Sequence, residues 1–341
     1  MLPEVVPGLQ RPQTGALLDR FGRKHDYLRI SVTDRCNYRC TYCMPASGMN
    51  FLPKGNILSF EEIIRITSVL ARCGVHHVRL TGGEPTVRRG IEDLVRGIAQ
   101  IPGIDDLSMT TNGHLFAPMA SALANAGLRR VNISIDSLDS GQFRSITRGG
   151  DLAKVIAAIH AARELGLTPI KLNAVMVGGE NEDQLRALVA FASDFPSELI
   201  VRFIEFMPFD GNDRDKKHIP ASVLRERLGQ SCTLVPAAAS GGGPARYWRI
   251  QETGLIVGFI SPITEHFCQL CNRLRLQADG HLRTCLSREA APSLRDILRK
   301  GVSDEDLETV LRERLWGKVA GHEAHLDNPR AFEGVMTAIG G

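Results

Sequence analysis

Between Tyr27 and Phe206 the chain repeats one unit: a short strand-like run followed by a helical pattern. The runs fall at 27–32, 77–81, 107–111, 130–135, 169–175 and 199–206. Helical periodicity fills the intervals at Phe60–Arg72, Ile91–Ala99, Pro118–Ala126, Leu152–Leu165 and Glu182–Ala192, the first opened by Ser59 with Glu62 at the capping-box position. Alternating βα units with right-handed crossovers dictate an α/β fold on a parallel sheet. Strands buried on both faces should read as unbroken apolar runs. These alternate instead. Leu28, Ile30 and Val32 oppose Arg29 and Ser31, and Val78 and Leu80 oppose His77, Arg79 and Thr81. Val131, Ile133 and Ile135 oppose Asn132, Ser134 and Asp136, while Ile170 and Leu172 oppose Lys171 and Asn173. With helices on the apolar side, the polar side must line an interior. A closed eight-stranded barrel fills its centre with branched apolar residues, so six strands with a polar lumen predict an open, partial barrel around a large polar ligand. The alternative is an ordinary sheet with one wet face, which helix-covered parallel strands seldom have.

Active sites of such barrels gather at the C-terminal strand ends, and the first strand runs directly into Cys36, Cys40 and Cys43. Three thiolates within eight positions cannot all pair with one another, and they suit a soft metal. Zinc and an iron–sulfur cluster are the candidates, each normally taking four protein ligands in a structural role. Only three are at hand, which leaves a position open for a substrate or cofactor. The eight Cys, with neither a basic start nor an apolar h-region at the N-terminus, predict a reducing cytoplasm. No run approaches a membrane span. A net charge of +3 is too small to argue for nucleic acid or an anionic membrane, so anion recognition must be local. Cys73 and Cys232 stand apart from the clusters and are expected to be small core residues.

The spacing Cys-x3-Cys-x2-Cys, with Tyr42 before the last Cys, resembles the radical S-adenosylmethionine (SAM) superfamily. That resemblance implies a partial (βα)6 barrel of TIM type. It also implies a [4Fe–4S] cluster on Cys36, Cys40 and Cys43, with the amino and carboxylate groups of SAM on the fourth iron. Thr81-Gly-Gly-Glu-Pro85 would otherwise be a turn whose glycines permit close backbone approach. It matches the superfamily segment that contacts the methionine part of SAM, with Gly83 as the contact. By the same resemblance Tyr42 and Ser134 face SAM and Met207 lies near its adenine.

Beyond Pro208 the pattern changes. Asp210–Asp215 reads as a polar loop, Ser222–Leu228 as a short helix and Ala237–Pro244 as a flexible surface loop. Arg246–Gln251 and Leu255–Ile260 read as an antiparallel pair. A second cysteine group follows, Cys268-x2-Cys271 with Cys285. On spacing alone it is equally a zinc site, completed by His266 or His281, or an iron–sulfur site.

Cys268-x2-Cys271-Asn-Arg-Leu-Arg275, then Cys285 and the terminal Gly340-Gly341, resembles the GTP 3′,8-cyclase family of molybdenum cofactor biosynthesis over about Leu17 to Gly341. The resemblance implies a lyase that converts GTP to (8S)-3′,8-cyclo-7,8-dihydroguanosine 5′-triphosphate. A 5′-deoxyadenosyl radical would remove the ribose 3′ hydrogen before the sugar carbon attacks guanine C8. It implies a radical SAM core at 17–230 and a C-terminal domain at 231–341 that closes the barrel. Two [4Fe–4S] clusters are implied, the second on Cys268, Cys271 and Cys285 binding the guanine edge. GTP contacts carry over to Arg29, Arg79, Thr110, Lys171, Arg273, Leu274 and Arg275, and Gly340 and Gly341 to a tail that enters the active site. Arg202 joins the cations by strand geometry. Each cation could instead be a salt-bridge partner of Glu84 or Asp136, but several converging from separate strands argue for an anion. The implied partners are GTP, a low-potential electron donor and the cyclic pyranopterin monophosphate synthase that receives the product, with no nucleic acid and no membrane, and a homodimer is compatible with the resemblance. Two other readings stay open: a radical SAM enzyme with an auxiliary cluster acting on a peptide, and a zinc or iron–sulfur regulatory module.

Overall fold

The structure is a computed structural model, described over residues 2–207, 209, 217–287, 291–322 and 336. Six parallel strands form in chain order: β1 (Tyr27–Ser31), β2 (His77–Thr81), β3 (Asp106–Thr111), β4 (Arg130–Ser134), β5 (Ile170–Gly178) and β6 (Leu199–Glu205). Each pairs with the next in parallel. The alternation does what the sequence requires of it. Leu28, Ile30, Val78, Leu80, Ile133 and Leu172 are all fully buried beneath the helices, while Arg29, Arg79, Asn132 and Asn173 turn to the other face and share one cavity.

The covering layer is α1 (Phe60–Arg72), α2 (Ile91–Ala99), α3 (Phe116–Asn125), α4 (Ser140–Thr147), α5 (Leu152–Glu164) and α6 (Gln184–Ser193). The capping box on α1 is formed: Ser59 N donates to Glu62 Oε2 at 2.7 Å, and Glu62 N donates to Ser59 Oγ at 3.2 Å. Ile63, Ile66, Val69 and Leu70 then make its buried stripe. The helix α4, capped by Asp139, has no counterpart in the sequence reading. At 8 residues it is the shortest of the six covering helices.

The C-terminal third extends the same sheet at both edges. It supplies β7 (Lys217–His218), α7 (Ala221–Gly229), β8 (Leu234–Ala237), β9 (Arg246–Ile250), β10 (Ile256–Ile260), β11 (Arg273–Leu276), β12 (Leu282–Arg283), α8 (Leu294–Arg299) and α9 (Asp304–Trp316). The order is β12-β11-β1-β2-β3-β4-β5-β6-β10-β9-β8, with β7 antiparallel to β5. The strand β10 lies parallel beside β6, and β11 parallel beside β1. The expected β9–β10 antiparallel pair is present. The second cysteine group therefore leads directly into a strand of the barrel wall.

Ala237–Pro244 departs from its reading as a loose surface loop. It is partly exposed, but the Ser240 carbonyl accepts a hydrogen bond from Lys171 Nζ, and Gly243 and Pro244 line the cavity. Gly241 takes φ +86°, which favours glycine, and a Cβ there would lie 2.6 Å from Arg130 Nη2, so that guanidinium would have to shift. Asp210–Asp215 lies outside the described residues. Among the described residues no helix is long and apolar enough to cross a membrane.

Candidate active site

Strand register builds the cationic part of the cavity. Arg29 on β1 sits opposite Arg275 on β11 and opposite Arg79 on β2, so three guanidinium groups stand side by side across three strands. Arg202 on β6 and Arg273 on β11 line the same cavity, of about 280 Å³. Burial, and then the neighbouring Arg275, hold Arg29 well below the usual arginine range. Burial, and then Arg273, bring Arg275 down to about 10. Cations crowded in this way depress one another, and an anion placed among them would relieve that.

Neutral groups hold Arg79 and Arg202. Arg79 Nε donates to Ser108 Oγ at 3.1 Å, and Arg202 Nε donates to Asn173 Oδ1 at 2.8 Å. The Asn132 amide is satisfied with its oxygen toward Arg79, Arg202 and Thr110, the last two at 3.2 Å. Amides and a hydroxyl aim these two guanidinium groups without cancelling their charge. Glu84 and Asp136 do not serve as counter-ions. Glu84 accepts from the hydroxyls of Thr86 and Thr111 and from Asn112 N at 2.6 Å. Asp136 accepts from Tyr42 Oη at 2.8 Å and Val175 N at 2.9 Å. Burial pushes Glu84 up and Asp136 up to about 6, the reverse of what a cation partner would do. Asn132, Asn173 and Ser108 were not singled out from the sequence, although strand alternation had already placed Asn132 and Asn173 on the inner face.

Cys36, Cys40 and Cys43 line the same cavity beside Tyr42, Gly83, Ser134 and Met207. Their loop is fastened to the turn after β2, where Gly83 N donates to Thr33 O at 2.7 Å and Glu84 N to Arg35 O at 2.8 Å. A Cβ on Gly83 would come within 2.2 Å of Arg35 O. Here the glycine room that the sequence suggested for a ligand is taken up by the cysteine loop. Burial pushes the Cys36 thiol up to about 11 and Cys40 well above its ordinary value. Left alone these groups are inert thiols, and a soft cation is what would draw off their protons. Tyr38 N already points at Cys36 Sγ, at 3.4 Å, as thiolate ligands require. The donor set fits an iron–sulfur cluster.

Around the second group, Lys318 Nζ lies 3.5 Å from Cys271 Sγ and Arg273 Nη2 lies 3.9 Å from it. Burial opposes ionisation of Cys271, but Lys318 and then Arg273 outweigh it and bring the thiol down to about 6. Cys268 is pushed up by burial and feels both Cys285 and Cys271. Arg23 clamps the surroundings, donating to Cys268 O at 2.8 Å, Ala320 O at 2.7 Å and Val319 O at 2.7 Å. His281 pairs with Asp279 at 2.9 Å, and the His266 ring stands edge-on to His322. Neither forms a single-ion shell with the cysteines among the described residues. Lys318 and Arg23 escaped the sequence reading because each lies far along the chain from the cysteines it serves.

Not every expected residue reaches the cavity surface. Thr110 lines it, but the Leu274 side chain packs in the hydrophobic core, leaving only its main chain for a ligand. Lys171 is fully buried behind the lining and bonded to Ser240. Gly340 and Gly341 lie outside the described residues. Cys73 is buried in the core and Cys232 packs against it.

Residues 30–192 match the Radical SAM superfamily, and residues 199–324 match Molybdenum Cofactor Synthesis C. The chain is 45% identical over 331 residues to a GTP 3′,8-cyclase of Pseudomonas putida (strain W619), covering 96% of this chain and 98% of that one. It belongs to the GTP 3′,8-cyclase family. A second member, from Rhodopseudomonas palustris (strain TIE-1), is 44% identical across 94% of this chain and 92% of its own. Among solved structures, Streptococcus suis SuiB bound to S-adenosylmethionine superposes with a TM-score of 0.61 at 16% identity. That match covers 86% of this chain and 67% of SuiB, and it shows a shared fold. The family's radical SAM half implies one [4Fe–4S] cluster and SAM. In this member of the family the cysteine loop after β1 and the arginine row open into one cavity.

Proposed function

We propose that this chain is a GTP 3′,8-cyclase, a radical SAM lyase that catalyses the first step of molybdenum cofactor biosynthesis. The observation that carries this reading is the arginine row, Arg275, Arg29 and Arg79, in register across three strands in the cavity that also holds the three-cysteine loop. In water a triphosphate competes poorly for single lysines, but planar guanidinium forks bind phosphate oxygens in pairs. Arg29, Arg79, Arg202, Arg273 and Arg275, with Thr110, grip the phosphates and sugar of GTP, and Lys171 supports them from behind the lining. The ribose then points toward the strand ends, where Tyr42, Gly83, Ser134 and Met207 hold SAM.

Cys36, Cys40 and Cys43 would bind a [4Fe–4S] cluster, which with SAM supplies reductive cleavage to a 5′-deoxyadenosyl radical when bound. The protein's own work is binding, orienting and excluding water. Cys268, Cys271 and Cys285 would hold a second [4Fe–4S] cluster, with Lys318 and Arg273 keeping the Cys271 sulfur anionic. The main chain at Leu274 and the Gly340-Gly341 tail complete the site. The division at 17–230 and 231–341 is one of function, since the C-terminal part completes a barrel wall that the core leaves open. A low-potential reductant, a cytoplasmic setting, transfer of the labile product to the cyclic pyranopterin monophosphate synthase, and a homodimer belong to the same reading.

The test is an anaerobic assay of reconstituted protein with SAM and a reductant, with and without GTP. The expected result is GTP-dependent 5′-deoxyadenosine and about eight irons per chain. SAM cleavage indifferent to GTP would reopen the substrate, and about four irons would remove the second cluster.

A further inference from the structure

Lys171 is the one ammonium-bearing side chain that the protein buries among the cations of the lumen without a carboxylate of its own, as far as the described residues go. It is fully buried. Its hydrogen bond goes to the Ser240 carbonyl, an acceptor that an uncharged amine satisfies as well as a charged one. Three guanidinium groups face it: Arg202 from β6, Arg130 from β4 and Arg79 from β2. The Tyr247 ring of β9 lies 5.8 Å from Nζ. The carboxylate that faces it is Asp106 of β3, which is already engaged by Arg130 and by His77 at 2.9 Å. Burial and like charge both act against an ammonium here.

We propose that Lys171 is an uncharged amine in the free protein and takes up one proton from solvent as the triphosphate of GTP enters, so that substrate binding is proton-coupled. This rests on the reading that the phosphates occupy the lumen. Burial first, then Arg202, Arg130 and Arg79, bring Lys171 down to about 6. A polyanion placed among the same cations reverses the sign of the local field and restores the charged form. The coupling makes Lys171 more than one phosphate ligand among several. It lets the empty lumen shed a charge that it would otherwise have to bury.

Calorimetric titration of GTP into the reconstituted holoenzyme tests this, at pH 7.5 in two buffers of different ionisation enthalpy. The dependence of the observed heat on the buffer counts protons. Wild type should take up about one more proton per GTP than Lys171→Arg, which keeps its charge throughout, and titration of the γ-phosphate cancels between them. Between pH 7 and 8 the wild-type affinity should fall about tenfold relative to the variant. Lys171→Gln, which cannot titrate, gives the same comparison should the arginine not be accommodated. Equal proton counts in wild type and variants would overturn the inference. Undiminished GTP binding by Arg79→Met would remove the lumen reading, and this inference with it.

Discussion

Asn132 and Asn173 set the chemistry of the lumen as much as the arginines do, because a neutral acceptor aims a guanidinium and leaves its charge available. Asn132→Asp should therefore weaken GTP binding more than Asn132→Ala, since the carboxylate would neutralise Arg79 and Arg202 together. Equilibrium dialysis with GTP ranks the two. Removing one charged hydrogen-bonding partner, as in Arg79→Met, costs about 1.5–3 kcal/mol of binding, a roughly ten- to hundredfold rise in Kd. The melting temperature should not fall, because the empty site loses a repulsion. Asp136 gives a pH test. Its folded pKa is raised to about 6 by burial, so the native state holds its proton longer than the unfolded chain does. Stability is then lost as pH climbs from about 4 to about 6. Asp136→Asn should match wild type near pH 4 and exceed it in melting temperature above pH 6. A gap that opens toward low pH would refute that sign.

At the level of elements, most of what was legible came from period-two alternation. Alternation alone puts Arg29, Arg79, Asn132, Lys171 and Asn173 on one inner face, and the six core strands follow it. Arg273-Leu-Arg-Leu276 carries the same alternation, yet its strand character was hidden inside a cysteine motif. Its place beside β1 depends on a pairing more than two hundred residues away in sequence, which no local pattern encodes. The loop at 237–244 lies at the surface as its composition implies, but its contacts with Lys171 and the cavity are not encoded locally. Glycine composition signals freedom in an isolated chain, whereas at Gly241 it also serves a backbone φ of +86° beside the Arg130 guanidinium. Gly83→Ala tests the fastening of the cysteine loop to the turn after β2. With 2.2 Å from the new Cβ to Arg35 O, the loop must move, and iron at the first site should be lost while the second site keeps its own. By contrast, Ser59→Ala removes the α1 cap and should cost about 1 kcal/mol, read as a small drop in melting temperature with iron content unchanged.

For the whole molecule, the sheet brings the three-cysteine loop and the arginine row to one cavity. It does so by letting C-terminal strands complete both edges of an N-terminal barrel. Sequence could name the cysteines and the cations, but not that Arg29 stands in register between Arg79 and Arg275. In the proposed function, that register would hold the triphosphate at a fixed height and so fix which sugar carbon meets SAM. The most direct test of this arrangement uses GTP deuterated at the ribose 3′ carbon, with reconstituted protein, SAM and reductant, and mass spectrometry of the 5′-deoxyadenosine formed. One deuterium transferred in wild type, and loss of that transfer in Arg79→Met at matched GTP, is the outcome predicted here. Unlabelled 5′-deoxyadenosine formed at the full rate in the presence of labelled GTP would contradict it.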